Sequence, residues 1–318
     1  MAASNAGGAS GAGAPASTLL PYGALALTAL LWSGNWIVGR GLTDQVAPFA
    51  LSFWRWVLAV SILLPFTARL LWRQRDVIRA EWRRLLVFSF LGITMFNASI
   101  YYGLKTTTAI NGALVNSASP IFVIIISWFG LGDRSTLRQG VGVVVSLLGV
   151  AAILSRGDPQ ALMTLSFGTG DLIITAAIFV WALYTILLRH WPTELNQFAF
   201  IAFIMTVGLL FMVPAYLIER SIVGDFELTA RALGGIVYLG IFASIGAYIC
   251  WNYGVRSLGA GTASLFLHLV PPFAAVAAML LLDEALRLYH LAGITLILLG
   301  IYIASATRPF WRRWLARR

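Results

Sequence analysis

Ten apolar runs, at approximately 20–40, 47–70, 84–103, 108–130, 137–155, 170–190, 196–219, 232–254, 260–282 and 287–307, occupy most of this 318-residue sequence. Each is long enough to cross a bilayer as a helix, which takes about 20 residues. In hydrocarbon every backbone N–H and C=O must find its partner within the protein, so a lone apolar run of this length has to be helical. The expected fold is therefore an all-α integral membrane protein with ten transmembrane helices. Too little chain remains for a separate soluble domain. Only 11% of the residues are charged, against about 25% in soluble globular domains.

The formal net charge of +10 does not point to nucleic acid, because that reading requires a basic, solvent-exposed domain. Here the basic residues lie between apolar runs and set orientation instead. Sorted by side for ten spans, fifteen of the 22 Lys and Arg fall on one face, six on the other, and Arg55 lies inside the second run. The excess comes from the expected loop 69–84 and the tail 308–318. By the positive-inside rule both termini are cytoplasmic, in a bacterial-type inner membrane. Residues 1–19 are a Gly/Ala/Ser tail without the charged start of a signal peptide. The single cysteine, Cys250, lies within an apolar run, so neither an intrachain disulfide nor a cysteine-based metal cluster is expected.

The two halves match at a nearly constant offset. At 149 residues Trp32 pairs with Trp181, Arg40 with Arg189, Phe49 with Phe198 and Pro65 with Pro214. At 151 residues Tyr102-Gly103 pairs with Tyr253-Gly254, Lys105 with Arg256, Pro120 with Pro271, Asp133 with Glu284, and Gly142 and Gly149 with Gly293 and Gly300. Residues 20–155 and 156–307 are thus read as two copies of one five-span unit, followed by the basic tail 308–318. Five is odd, so the second copy enters the membrane from the opposite side. Inverted repeats around a central cavity are a transporter signature.

The pattern Tyr102-Gly103-Leu104-Lys105, Pro120, Asp133, Gly142 and Gly149, recurring as Tyr253-Gly254-Val255-Arg256, Pro271, Glu284, Gly293 and Gly300, resembles the drug/metabolite transporter superfamily in its ten-helix EamA-type branch. Asp133 stands where that family commonly has Glu. The aromatic first span, Trp32-Ser33-Gly34-Asn35-Trp36, looks most like the YddG-type exporters of aromatic amino acids. The resemblance implies export or facilitated movement of a small-molecule substrate, with no cofactor; a broad exporter of drugs or other metabolites is the alternative.

Polar groups inside the runs are the candidates for substrate binding. Arg55 is either a fork for a substrate carboxylate or a structural arginine, and a similar Arg is frequent there in the family. Asn97 and Tyr101, with Tyr248, Trp251 and Asn252, form two pseudo-symmetric stripes, since residues four apart share a helix face. Trp32, Asn35 and Trp36 correspond to Trp181, Tyr184 and Thr185 and supply two further walls. His268 and its repeat equivalent Ser117 lie three residues before prolines, where spans nine and four are expected to break. His268 either lines the cavity or bonds a freed carbonyl. The glycines of spans five and ten allow close helix approach within the chain or across a dimer. All twelve acidic residues lie in connections or at span ends, which points to a neutral or zwitterionic solute moved without a membrane carboxylate for proton coupling, by a monomer or homodimer. An intramembrane enzyme would need a paired nucleophile, an acid pair or a metal motif, and none is present. A purely structural scaffold gives no reason for Asn97, Asn252 and His268 within spans.

Overall fold

The computed structural model describes residues 16–107, 109–131, 136–165, 168–282 and 287–305. Asp133, Glu284, the start of the N-terminal tail and the basic segment 308–318 lie outside the described residues. Ten long helical elements run in chain order: α1 Ala16–Gly41, α2 Pro48–Arg73, α3 Arg75–Thr106, α4 Ala109–Ser117 continued by Ser119–Leu131, and α5 Leu137–Leu154. They are followed by α6 Thr169–His190, α7 Gln197–Val223, α8 Ala230–Leu258, α9 Ala260–Leu265 continued through Phe266–Leu269 to Val270–Leu282, and α10 Leu288–Ser305. Among the described residues, α2 to α10 are each long and apolar enough to cross a membrane. Helix α1 packs against α8 and α9. Large apolar side chains such as Phe66, Phe129, Leu210 and Ile222 face outward, as lipid-facing side chains do. The protein is a multi-pass membrane protein.

Helix ends follow local chemistry. Thr136 and Gln139 form a reciprocal cap at the start of α5, with Gln139 N donating to Thr136 Oγ1 at 3.2 Å and Thr136 N to Gln139 Oε1 at 2.9 Å. Asn196 and Thr229 cap α7 and α8. The α8–α9 connection is a single residue, Gly259, at φ +86°, a left-handed conformation that disfavours any side chain.

Two features depart from the sequence expectation, and a third settles an alternative it left open. The basic stretch 69–84 is not a loop: α2 runs to Arg73 and α3 starts at Arg75, with only Gln74 between them. Arginine is a good helix former, so both helices continue past their apolar runs. Helices α3 and α8 each contain a π-helical segment, Phe90–Met95 and Leu239–Gly246, at matching places in the two halves. The glycine faces of spans five and ten are used inside the chain. A Cβ at Gly142 would lie 2.6 Å from the Gly300 carbonyl oxygen, and one at Gly149 would lie 2.6 Å from that of Gly293, so α5 and α10 are in backbone contact. The expected breaks do occur, at Ala118 in α4 and as a 3₁₀ turn over Phe266–Leu269 in α9, each just before a proline.

Candidate functional site

The pseudo-symmetry axis passes through contacts between repeat-related residues. Trp32 meets Trp181 edge to face, with centroids 5.2 Å apart. Asn97 Nδ2 donates to the Tyr248 hydroxyl at 3.1 Å, and His268 Nε2 lies 2.8 Å from the Ser117 carbonyl. Beside the axis, the Tyr101 hydroxyl donates to Asn35 Oδ1 at 2.8 Å and the Tyr184 hydroxyl to Asn252 Oδ1 at 2.7 Å. These two bonds are repeat equivalents with donor and acceptor exchanged between helices.

Arg55 breaks the symmetry, because Ile204 stands at the equivalent position of the second half. The guanidinium is buried, at 1% exposure. Its Nε donates to Ser244 Oγ at 2.9 Å, and its Nη1 to Asn35 Oδ1 at 3.0 Å and to the Tyr101 hydroxyl at 2.5 Å. Its carbon lies 4.8 Å from the Trp56 ring centroid. Among the described residues it has no carboxylate partner, and its Nη2 makes no hydrogen bond. A buried guanidinium held only by neutral groups keeps an uncompensated charge in a low-dielectric site.

Arg55 lines a central recess of about 20 Å³, together with Trp32, Asn35, Trp36, Asn97, Tyr101, Trp181 and Tyr248 from the sequence expectation. Phe96, Ile100, Asn116, Leu267 and Val270 complete its wall. Trp36, Asn116 and Val270 also border a much larger cavity of about 490 Å³. That vestibule lies among the ends of α1, α3 and α5 and the start of α10, on the face opposite the 69–84 basic cluster. Its wall is mostly apolar, with Arg40, Asn116, Arg156, Tyr289 and His290 at its polar positions. A third cavity, of about 310 Å³, opens on the basic face and includes Arg189, His190, Gln139 and Val123. The repeat offsets carry Arg40 onto Arg189, His290 onto Gln139 and Ala274 onto Val123, so the two outer cavities are symmetry mates. Only the first shares residues with the central recess.

Five expected wall residues lie elsewhere. The His268 ring is fully buried, with Nδ1 2.5 Å from Ser146 Oγ and Nε2 on the Ser117 carbonyl, which ties the two broken helices to α5. The Ser117 hydroxyl donates back to Ala113 O. Tyr184 and Asn252 bond each other behind the recess, and Trp251 packs at 5.3 Å against Trp32 and 5.6 Å against Trp181. Helix periodicity grouped these residues by face without revealing which neighbour each would meet. Conversely, Arg40 entered the sequence reading only as a repeat match. It reaches across to the Leu104 carbonyl, as Arg189 does to that of Arg256 at 2.7 Å. Asp171 at the start of α6 is also buried, accepting from Gly168 N at 2.7 Å, from Asn111 Nδ2 at 3.3 Å and from Thr107 Oγ1. It borders none of these three cavities.

The EamA-like transporter profile matches twice, over residues 19–155 and 168–306. The chain belongs to the EamA-like transporter family. Among its relatives, the uncharacterized transporter YyaM of Bacillus subtilis is 27% identical over 81% of this chain and 85% of its own. An uncharacterized transporter of Archaeoglobus fulgidus is 27% identical, with coverage of 89% and 96%. A probable terminal-alkyne amino-acid exporter of Streptantibioticus cattleyicolor is 25% identical over 93% of this chain and 94% of that protein. A protein solved by crystallography superposes with a TM-score of 0.71 over 95% of this chain and 99% of its own. At 18% identity that likeness concerns the fold alone. This EamA-like chain is a membrane transporter.

Proposed function

We propose that this transporter exports, or facilitates the movement of, small metabolites that combine a carboxylate with an aromatic or other apolar body, hydrophobic amino acids among them. The observation that carries the reading is Arg55, a buried cation without a carboxylate partner among the described residues, at the closed end of an apolar cavity large enough for such a solute. A bidentate or single-nitrogen contact to a substrate carboxylate would supply the missing anion. Trp32, Trp36, Phe96, Trp181 and Tyr248 offer aromatic surface for the body, with Asn35, Asn97 and Tyr101 as polar neighbours. Ser117, Tyr184, Trp251, Asn252 and His268 support this wall from behind.

Movement is by alternating access. The two symmetry-related vestibules take turns in meeting the central recess; the one that shares lining residues with the recess is on the face away from the basic cluster. By the positive-inside rule that face is periplasmic or extracellular, and the termini are cytoplasmic. All twelve acidic residues lie in connections or at span ends of the sequence, which supports a cycle without a carboxylate proton relay. The relative named as an amino-acid exporter supports an amino-acid framework. The two halves, 20–155 and 156–307, are the moving units. The protein works as a monomer, or as a homodimer through a surface other than the α5–α10 glycine face.

The test is counterflow of radiolabelled tryptophan, phenylalanine and methionine into proteoliposomes, with a sugar phosphate and a cationic dye as comparators, at equal pH and zero potential. Saturable amino-acid exchange is expected. Flux of the dye or the phosphate alone would overturn the substrate class.

A further inference from the structure

The amide and charged side chains that line the central recess, Asn35, Arg55, Asn97 and Asn116, all come from the first repeat. At the positions that the repeat offsets pair with Arg55 and Asn116, the second repeat has Ile204 and Leu267. Leu267 lines the same recess. The charged groups of a solute held here thus meet the first half of the protein.

Two amide oxygens in this wall are unengaged. Asn97 is held by its nitrogen, which donates to the Gly92 and Ile93 carbonyls at 3.1 and 2.9 Å and to the Tyr248 hydroxyl at 3.1 Å. Acceptors gathered around Nδ2 fix which way the amide points, and Oδ1 accepts no hydrogen bond among the described residues. Asn116 is only 6% exposed and lines both the recess and the vestibule. Its side chain makes no hydrogen bond among the described residues, yet its amide is open to the cavities it lines. It stands in the last turn of Ala109–Ser117, the first part of α4, where the negative end of the helix dipole favours a cation. Pro120 has no N–H to give the Asn116 carbonyl, which frees a backbone acceptor at the same break. Acceptors desolvated without a donor cost free energy, and an ammonium brings three donors.

We propose that the side-chain oxygens of Asn97 and Asn116 form an ammonium subsite beside Arg55, so that the site prefers an α-amino acid to the amine-free carboxylate of the same shape. This rests on the carboxylate reading given above and adds recognition of the amine. An α-amino acid carries both charges on one carbon, and Arg55, Asn97 and Asn116 surround one small recess. The apolar body then extends into the vestibule, which opens from Asn116 past Val270. Asn116 is the residue that sets the preference, because Asn97 is also tied to the backbone of α3.

A series of ionised carboxylates with the same ring and carbon frame separates the cases. Phenylalanine carries an ammonium beside the carboxylate, 3-phenyllactate a hydroxyl, and 3-phenylpropionate only hydrogen. The full chain is reconstituted into liposomes preloaded with one unlabelled compound, and entry of the same compound in labelled form is measured over a range of concentrations against protein-free liposomes. Like-for-like exchange moves no net charge, so the three half-saturation concentrations compare directly. That of phenylalanine is expected to be about tenfold below that of phenylpropionate, as one charged hydrogen bond provides, with phenyllactate between them. Asn116→Leu keeps a similar volume, breaks no side-chain hydrogen bond among the described residues and copies the residue at the equivalent position 267. It should raise half-saturation for phenylalanine about tenfold and leave that for phenylpropionate within about twofold, a split that general loosening of the wall does not produce. If the variant is not monodisperse, the wild-type series decides alone. Phenylpropionate half-saturating at or below phenylalanine in the wild-type protein, or a phenylalanine preference that Asn116→Leu leaves unchanged, overturns the ammonium subsite and leaves the carboxylate reading standing. Saturable entry of none of the three, with monodisperse protein, overturns both.

Discussion

Substituting Gly149 by alanine places a methyl group where α5 and α10 meet backbone to backbone. The added Cβ would lie 2.6 Å from the Gly293 carbonyl oxygen and 2.9 Å from Ile297 N. An ordinary contact begins at 3.4 Å, so the helices must part by about 0.8 Å locally, and neither neighbour is the free end of a flexible side chain. Overpacking of this kind costs about 1–3 kcal/mol, set against about 1 kcal/mol gained from replacing glycine in a helix. Gly140, on the same helix, has nothing within 4 Å of its Cβ position. Gly140→Ala therefore keeps the gain without the clash, and the two variants should differ by about 1–3 kcal/mol, or several degrees in melting temperature. Heating detergent-solubilised protein and following the monodisperse fraction by size exclusion measures both. If Gly149→Ala melts at or above Gly140→Ala, the close α5–α10 contact is not a source of stability and the packing argument fails.

Trp251→Ala should lower the melting temperature sharply, since truncating a fully buried aromatic costs about 3–5 kcal/mol, whereas Trp36→Ala should leave melting nearly unchanged and reduce solute flux; the opposite assignment would show that Trp251 faces the solute. His268→Leu strands the Ser117 carbonyl and the Ser146 hydroxyl, at about 1–3 kcal/mol for each buried group left unsatisfied, and should destabilise more than His268→Gln in the same thermal assay. In a Cys250→Ser background, Ala274→Cys should react with a membrane-impermeant maleimide added from the face opposite the basic cluster, and Ser127→Cys, in the other cavity, from the basic face. Labelling of both from one side would remove the two-vestibule description.

The helix count, the repeat and the breaks before Pro120 and Pro271 were legible because each rests on a local property: apolar length, residue spacing, or a missing N–H. What stayed hidden depends on how helices meet. The stripe of Tyr248, Trp251 and Asn252 was placed correctly on one helix, yet only Tyr248 reaches the recess, because Asn252 is taken by Tyr184 and Trp251 is covered by Trp32 and Trp181. His268 was recognisable as a polar residue at a break. The 3₁₀ turn that carries it accompanies a ring directed at Ser117 and Ser146, which no periodicity argument resolves. The π-helical segments left no mark in composition, since Phe90–Met95 and Leu239–Gly246 read as ordinary apolar helix.

The contacts on the pseudo-twofold axis carry an evolutionary consequence. In an ancestral dimer of two identical five-helix halves, each such contact would join a residue to its own copy: asparagine to asparagine, serine to serine. A tryptophan pair satisfies that condition, because two identical rings can still meet edge to face, and Trp32–Trp181 has kept it. Asn97–Tyr248 and Ser117–His268 have not. Once both halves are encoded in one gene, the two sides of an axial contact can mutate separately, and self-facing pairs can become matched donors and acceptors.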